Sequence, residues 1–268
     1  MDINRLIESI EEIVPLYLAL PGDEIGVVYP LIHKLVNYRV DVEVVGVTWE
    51  LTLMNLKLML RDGVEFIVCH EDPFIRRSIG SVLWELGYRD KIPNKLMMDI
   101  LDTQRIVVYR MHTNLDNSEI GTNSELAKKL GLKDIKNYPV SRVGRINECS
   151  LKEFVELVKK KLSCKFLLIS GDLDKVIKKV MVVAGAGLRH KEFFELAYKE
   201  GVDVIVSAEL DERLARYAQY LNIAIIDAGH YETEVWGVKR FNEELKNKIG
   251  NEVQVKFYEN VKSFTVLF

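Results

Sequence analysis

The sequence predicts an α/β protein of two lobes, in which mixed sheets are flanked by helices. Short runs rich in Val, Ile and Phe alternate with helical patterns along nearly all of the 268 residues. The chain is 48% apolar, which is ample for a buried core. Residues 131–150 carry Gly, Pro and Ser punctuation with little periodicity, and the alternation restarts after them. We therefore expect a crossing between two lobes at this stretch.

Each predicted element has strand or helix length and a matching pattern. The apolar runs predict strands near residues 42–49, 64–70, 105–112, 165–170, 179–185, 202–208, 223–227 and 253–259. Segments with apolar residues at helical spacing predict helices over 51–63, 151–162, 190–201 and 211–221. Ser150, with Glu153 three positions later, predicts a capping box at the start of helix 151–162.

Charge, targeting signals and cysteines exclude several classes of protein. Forty acidic against 37 basic side chains give a net charge of -3, so no global field favours nucleic acid or a membrane, although a local basic patch stays open. No run approaches the roughly 18 apolar residues of a membrane span, and MDINRLIESIEE carries acids too early for a signal peptide. We expect a cytoplasmic protein. Its three cysteines form no CxxC pair and are expected to be buried, reduced thiols.

Familiar nucleotide and hydrolase motifs are missing or incomplete. The chain has neither a GxxxxGK[ST] loop nor a GxSxG elbow. AGAGLRH (184–190) stands between a strand and a helix, but His190 replaces the third glycine of a dinucleotide fingerprint. We favour a tight strand-to-helix turn there. Lys159, Lys160 and Lys161 end a helix, which indicates a solvated end that complements the helix dipole.

Three of the five histidines, His70, His112 and His230, stand just past the carboxyl end of a predicted strand. In an open α/β sheet those ends line the crevice where ligands bind. Each histidine also has carboxylates close by along the chain, in order Glu71 with Asp72, Asp116, and Glu234. Imidazole and carboxylate donors together predict a site for zinc, iron, manganese or cobalt. Three of each are enough for two cations that share a bridging carboxylate.

Each histidine taken alone has a simpler interpretation, a surface ion pair or a helix cap. DAGHYETE (227–234) poses this alternative most directly, because His230 and Glu234 also fit the first turn of a helix. The repetition of the pattern favours the metal interpretation. His33 lies on a helical pattern and is expected to be structural or exposed, and His190 is expected to cap a helix.

Taken together, these segments resemble the NIF-three-like family, also called GTP cyclohydrolase I type 2 homologues. GVEFIVCHEDPF is similar to the family's strand and His-His-Pro segment, and YRMHTNLDNSEIGTNSELAKKLGL to its His-x-x-x-Asp motif and following helix. VMVVAGAG and VDVIVSAEL are similar to its glycine turn and its strand before an acidic residue. IIDAGHYETE resembles its Asp-x-Gly-His-x-x-x-Glu close, which is the most specific of these motifs.

The resemblance implies a subunit in which an outer lobe is inserted into the metal-binding lobe. Here these would be residues 131–225, inserted into a lobe of residues 1–130 and 226–268. It further implies a ring-shaped homohexamer whose metal sites face an inner cavity. The implied ligands are His70, Asp116, His230 and Glu234, with His112 as a ligand or close beside them.

Two positions depart from the family's pattern. Glu71 replaces the second histidine of the His-His pair. Glutamate can still bind a metal, but one metal position would then bind its ion more weakly, prefer a harder ion, or be absent. We expect one or two divalent transition metals per subunit. Glu209 stands where many members have aspartate, and it could contact a ligand.

The family's name points to GTP cyclohydrolase chemistry, in which metal-activated water attacks the purine five-membered ring and releases formate. Of the groups that this chemistry needs, the sequence shows only the candidate metal ligands that would activate the water. We therefore rank a metal-dependent hydrolase acting on a nucleotide or a phosphoester first, with His112 as the proton carrier. Two alternatives stay open: a ring that holds single- or double-stranded nucleic acid by phosphate contacts, and a metal carrier or insertion factor with an exchangeable site.

Overall fold

The computed structural model describes residues 1–30, 41–74 and 92–260, so the predicted helical position of His33 lies outside the described residues. The described chain divides into two compact units. The first unit comprises Met1–Asn114 and the segment that begins at Phe241, and the second unit comprises Leu115–Arg240. The lobe boundaries predicted from the sequence stay a prediction. Within the described ranges, no helix is long and apolar enough to cross a membrane.

Helices and strands alternate along most of the described chain. The helices are α1 (Ile3–Ile13), α2 (Leu53–Arg61), α3 (Ile92–Gln104), α4 (Thr113–Asn117), α5 (Thr122–Lys129), α6 (Leu151–Leu162), α7 (Lys191–Glu200), α8 (Glu212–Tyr220) and α9 (His230–Ile249). The strands are β1 (Gly26–Tyr29), β2 (Val44–Thr48), β3 (Phe66–Cys69), β4 (Val107–Arg110), β5 (Lys133–Tyr138), β6 (Ser141–Ser150), β7 (Leu168–Ser170), β8 (Val176–Val182), β9 (Val204–Ser207), β10 (Ala224–Asp227) and β11 (Gln254–Tyr258).

The first unit contains a mixed sheet with the strand order β1-β4-β3-β2-β11. Strands β2, β3, β4 and β11 run parallel to one another, and β1 pairs antiparallel with β4. The carboxyl ends of the parallel strands therefore meet at one edge. His70 directly follows β3, and His112 comes two residues after β4, so the strand order brings both histidines to that edge.

The second unit contains a mixed sheet with the order β5-β6-β8-β9-β10-β7. Strands β8, β9 and β10 are parallel, while the outer strands pair antiparallel with their neighbours. Gly185, Glu209 and His230 follow β8, β9 and β10 in turn. The second unit thus builds its own cluster of functional groups at the carboxyl ends of parallel strands, as the first unit does.

The buried strands explain why the sequence predicts them well. All four residues of β3, β4 and β9 are buried. Strands covered on both faces read as continuous apolar runs, and this is the pattern that predicts them. All eight predicted strands and all four predicted helices are present within a few residues of their predicted bounds. The prediction of an α/β protein with mixed sheets flanked by helices is confirmed.

Residues 131–150 differ from the prediction of an irregular crossing. They form a hairpin, in which β5 pairs antiparallel with β6. Five of the six residues of β5 are exposed, so this edge strand lacks the apolar alternation by which strands are found. A register shift between Lys133 and Lys136 interrupts the pattern further. Helices α1 and α3 and strand β1 are further elements that the sequence patterns did not predict.

The predicted capping box at the start of α6 is confirmed. Ser150 Oγ accepts a hydrogen bond from the Glu153 backbone N–H at 3.2 Å, and Glu153 Oε2 accepts one from the Ser150 N–H at 2.8 Å. These bonds hold the pKa of Glu153 below its usual value.

Replacing Ser150 with alanine should lower the free energy of unfolding by about 1 kcal/mol, because the first turn of α6 loses its side-chain acceptor. Chemical denaturation of the full chain measures this change. Ser150→Thr keeps the hydroxyl and should restore most of the lost stability. An alanine variant as stable as the original chain would show that the cap contributes nothing.

Candidate metal-binding site

His70 is a fully buried histidine of the first unit, held by the strand ends around it. Its backbone N–H donates to the carbonyl of Trp49 at 2.9 Å. Its Nδ1 lies 3.0 Å from the backbone carbonyl of Met111. A carbonyl can only accept, so the contact places the imidazole proton on Nδ1. The lone pair is then on Nε2, which is the arrangement found in metal-binding histidines.

His112 has the same arrangement with a different acceptor. Its Nδ1 lies 2.9 and 3.0 Å from the two carboxylate oxygens of Asp23. Asp23 also accepts from the backbone N–H of Thr113 at 2.9 Å, and Arg110 Nη1 lies 3.3 Å from it. Burial alone would raise the pKa of Asp23, but its bonds with His112 and Thr113 and the charge of His112 outweigh burial and lower this pKa. When His112 is neutral, the ionised Asp23 keeps the imidazole proton on Nδ1. The lone pair is then on Nε2, where it can bind a metal.

Glu71 completes the first-unit set, which we define as His70, Glu71 and His112. Glu71 Oε1 lies 3.8 Å from Nε2 of His70, and the ring centroids of the two histidines are 5.3 Å apart. Glu71 and His112 each have a ligand atom within 4.8 Å of one on His70, and His70 belongs to both groups of side chains in the described residues that could hold a metal ion. The neighbouring Asp72 is half-buried, and burial, with the nearby charge of Glu71, raises its pKa.

Asp23 is a functional candidate that sequence reasoning missed. It stands in the turn segment PGDE, 89 residues from the histidine that it contacts, and the sequence offers no periodicity or motif around it. The antiparallel pairing of β1 with β4 brings this part of the chain close to His112.

The variant Asp23→Asn should weaken metal binding by roughly 10- to 100-fold, the usual effect of removing a partner that orients a metal-binding histidine. An amide can donate to Nδ1 as well as accept from it, so the tautomer of His112 is no longer fixed. Competition with a chromogenic chelator measures the affinity. Asp99→Asn, at an exposed position of α3, is the matched control and should bind metal normally. Equal affinity of the two variants would contradict a role for Asp23.

The second-unit pair consists of His230 and Glu234, which are the first and fifth residues of α9. His230 Nδ1 lies 2.6 Å from Oε1 of Glu209, and His230 Nε2 lies 3.3 Å from Oε2 of Glu234. Glu209 also pairs through Oε2 with Arg189 Nε at 2.5 Å. The hydrogen bond from His230, together with the charges of His230 and Arg189, holds the pKa of Glu209 below its usual range. DAGHYETE therefore begins a helix and at the same time places His230 Nε2 and Glu234 Oε2 3.3 Å apart.

A glycine turn lies directly against this pair. Gly185 has φ +71, and a Cβ at this position would lie 2.0 Å from Glu234 Oε1 and 2.8 Å from His230 Nε2. Its backbone N–H donates to Thr233 Oγ1 at 3.0 Å. Glycine is required both by the backbone conformation and by the close approach. AGAGLRH is thus the tight turn that the sequence predicts, and its role is to leave room for the imidazole and the carboxylate.

Asp116 lies in α4 and is 7% exposed. Thr122 donates its hydroxyl hydrogen bond to Asp116 Oδ1, and Asn123 Nδ2 donates to the Asp116 backbone carbonyl at 3.3 Å. Gly121 allows this turn, because a Cβ there would lie 1.5 Å from the Leu115 carbonyl oxygen. The buried Arg142 donates to the carbonyl of Asn117 at 3.0 Å and so anchors the end of α4. The carboxylate of Asp116 is held in place by its own unit.

The donors fit a transition metal in three respects. All three histidines have Nδ1 against an oxygen acceptor, the arrangement in which Nε2 is the atom able to bind a metal. Nitrogen and carboxylate oxygen are the donors that zinc, iron and manganese accept. Two atoms bound tetrahedrally to one ion are about 3.4 Å apart, given bonds of about 2.0–2.2 Å. The His230–Glu234 separation of 3.3 Å matches this spacing.

His190, the remaining histidine of the described residues, and the three cysteines lie outside these groups. His190 is the N-cap residue of α7, as predicted, but its side chain makes no capping hydrogen bond. Cys69 and Cys164 are buried and Cys149 is half-buried, and all three are free thiols.

Comparison with known proteins gives consistent matches along the chain. A family model described as Duf34/NIF3 (NGG1p interacting factor 3) matches residues 1–263. A Methanocaldococcus jannaschii protein named GTP cyclohydrolase 1 type 2 homolog is 30% identical over 94% of this chain and 98% of its own length. A Clostridium perfringens protein of the same name is 26% identical over 95% of each chain.

Solved structures agree in fold. The Bacillus cereus protein related to NIF3 superposes with a TM-score of 0.83 at 18% identity, covering 100% of this chain and 99% of that one. Reduced HcgD from Methanocaldococcus jannaschii superposes with a TM-score of 0.75 at 28% identity, covering 97% of each chain.

Proposed function

This chain belongs to the Duf34/NIF3 family, and we propose that it is a metal-dependent hydrolase acting on a nucleotide or a phosphoester. One observation carries the proposal. His70, His112 and His230 each have Nδ1 directed at a backbone carbonyl or a carboxylate, so that the lone pair of each imidazole is on Nε2. Its repetition in three histidines that follow strand ends supports metal binding over three unrelated caps or ion pairs.

The proposed ligands are those expected from the sequence. His70 and Glu71 would bind metal in the first unit, with His112 either as a further ligand or beside them as the proton carrier, and Asp116, His230 and Glu234 would bind metal in the second. One or two divalent transition metals per subunit would be held, with zinc, iron, manganese and cobalt as the candidates. Glu71 brings a negative charge where a histidine would be neutral, which favours a harder ion at its position.

A bound transition metal would supply a Lewis acid that lowers the pKa of a coordinated water. The chain's own residues would do the rest. His112 is partly exposed, and its Nε2 can accept a proton and release it to a leaving group. Asp23 would stabilise the imidazolium that forms and keep the ring in one orientation, as a buried carboxylate does for a catalytic histidine. We therefore propose His112 as the proton carrier.

Metal content and turnover, measured on the same samples, test the proposal. The purified chain should contain at least about one transition metal per subunit. The metal-loaded protein should hydrolyse at least one member of a panel of nucleotides and phosphoesters, with phosphate release as the readout. GTP belongs in the panel, with formate as a second product to assay, because the relatives are named GTP cyclohydrolase 1 type 2 homolog.

Variants of His112 separate its two proposed roles. His112→Asn should abolish turnover in either role. The variant protein should keep its metal if His112 acts as the proton carrier, and it should lose metal if His112 is a metal ligand. A metal-loaded protein that turns over nothing in the panel would contradict the hydrolase and favour a metal carrier or a nucleic-acid-binding ring. The homohexamer itself stays a proposal, which the mass of the assembly in solution tests.

A further inference from the structure

Arg189 places a guanidinium beside the second-unit pair. It is the last residue of the 3₁₀ turn Ala186–Arg189. Its Nε contacts one oxygen of Glu209 at 2.5 Å, and the other oxygen of the same carboxylate contacts Nδ1 of His230 at 2.6 Å. One carboxylate therefore separates the guanidinium from an imidazole that we propose as a metal ligand.

The position of Arg189 is fixed by the turn that precedes it. A Cβ on Gly187 would lie 2.4 Å from Val183 Cγ1 and 2.6 Å from Ser207 Oγ, so the turn packs tightly against the strand ends. The Leu188 N–H donates to the carbonyl of Ala208 at 3.2 Å. Glu209 itself adopts φ +66, a conformation that non-glycine residues rarely keep unless the surroundings hold them. The Arg189–Glu209 pair is thus built on a rigid frame.

Most of the hydrogen-bonding capacity of Arg189 remains available. A guanidinium has five N–H donors in a planar fork, and the ion pair is a close contact of Nε with Glu209 Oε2 that lacks hydrogen-bond geometry. The side chain is 65% exposed. Within residues 1–30, 41–74 and 92–260, the side chain of Arg189 makes one polar contact, this ion pair with Glu209. The terminal nitrogens therefore face solvent beside His230 with no competing partner in the described chain.

A guanidinium beside His230 would add positive charge where two carboxylates contact the imidazole. Glu209 and Glu234 both contact the imidazole, and their negative charges would repel a phosphate unless cations balance them. A planar fork of donors matches two oxygens of a phosphate, and such charge-assisted bonds are stronger than neutral ones. We infer that Arg189 binds the phosphate oxygens of the substrate, which makes the substrate class an anionic phosphoester. This inference rests on the proposed hydrolase and specifies what that site binds.

Inorganic phosphate is the probe that tests the inference on the full, metal-loaded chain. Isothermal titration should show phosphate binding that Arg189→Met weakens by about 10-fold or more, the usual effect of losing hydrogen bonds to a charged group. Arg189→Lys keeps the charge without the fork and should fall between the two. Metal per chain should stay unchanged in both variants. The matched control is Arg216→Met, because Arg216 is 56% exposed and pairs with Glu212 at 3.1 Å on α8.

Three results would overturn the inference. The first is a metal-loaded original chain that binds no phosphate. The second is an Arg189→Met variant that keeps its metal and binds phosphate as tightly as the Arg216→Met control. The third is loss of metal from Arg189→Met, since the arginine would then act only by positioning Glu209. Phosphate binding that depends on Arg189, without turnover of any phosphoester, would support the inference and contradict the hydrolase.

Discussion

Replacing His230 with alanine should weaken metal binding by more than about 100-fold, since even the outer partners of metal-binding residues contribute 10- to 100-fold. His230 is expected to have this effect because it contacts two carboxylates. Its Nε2 lies at ligand spacing from Glu234, and its Nδ1 contacts Glu209 at 2.6 Å. Alanine removes the imidazole nitrogen, so any ion that remains loses its neutral ligand.

Metal per chain by elemental analysis and affinity by chelator competition together measure this effect. His190→Ala is the matched control, because His190 is an exposed histidine that also begins a helix and contacts Phe193 rather than a carboxylate. The side chain of His230 is 24% exposed, so its removal should leave folding largely intact. If both alanine variants retain the metal of the original chain, the assignment of His230 as a ligand is wrong.

The fold could be predicted wherever burial shapes the sequence. Strands β3 and β9 are buried on both faces, and their uninterrupted apolar residues leave no other interpretation. Helix α6 was located to the residue because Ser150 marks its start and its apolar spacing is regular. The hairpin of β5 and β6 was not predicted from the sequence because β5 is an exposed edge strand. An edge strand is specified by its pairing partner, which the local sequence does not reveal.

The candidate site shows the same division between local and distant information. Glu234 comes four residues after His230, so the sequence suffices to pair them, and the structure places their side-chain atoms 3.3 Å apart. The partners that orient the imidazoles come from far along the chain. Asp23 is 89 residues from His112, and Glu209 is 21 residues from His230. Glu209 was anticipated only through the family resemblance, and Asp23 was not anticipated at all.

The shared feature of the three imidazoles is a hydrogen bond rather than a sequence motif. Met111 offers a backbone carbonyl to His70, while Asp23 and Glu209 offer carboxylates to His112 and His230. A backbone acceptor leaves no trace in the residue types, because any residue supplies a carbonyl. Sequence reasoning can therefore find the candidate metal-binding side chains and still miss what fixes their tautomers.

Gly185→Ala should both destabilise the second unit and abolish metal binding by the second-unit pair. The backbone at Gly185 has φ +71 and ψ -142, a region that residues with a side chain hardly enter. The added methyl group would also lie 2.0 Å from Glu234 Oε1, far inside van der Waals contact. Backbone strain and overpacking together should lower the free energy of unfolding by about 2 to 4 kcal/mol. Chemical denaturation of the metal-free chain measures this loss without any contribution from bound metal.

Gly201→Ala separates the effect on metal from the effect of a positive φ. Gly201 has φ +64, but a Cβ there would have no atom within 4 Å, so the variant has strain without a collision. It should lose about 1 kcal/mol and keep its metal. Gly185→Ala must move either the Glu234 carboxylate or the glycine turn, and both changes alter the spacing of His230 and Glu234. A Gly185→Ala chain that binds metal as tightly as Gly201→Ala would show that this pair does not hold the ion.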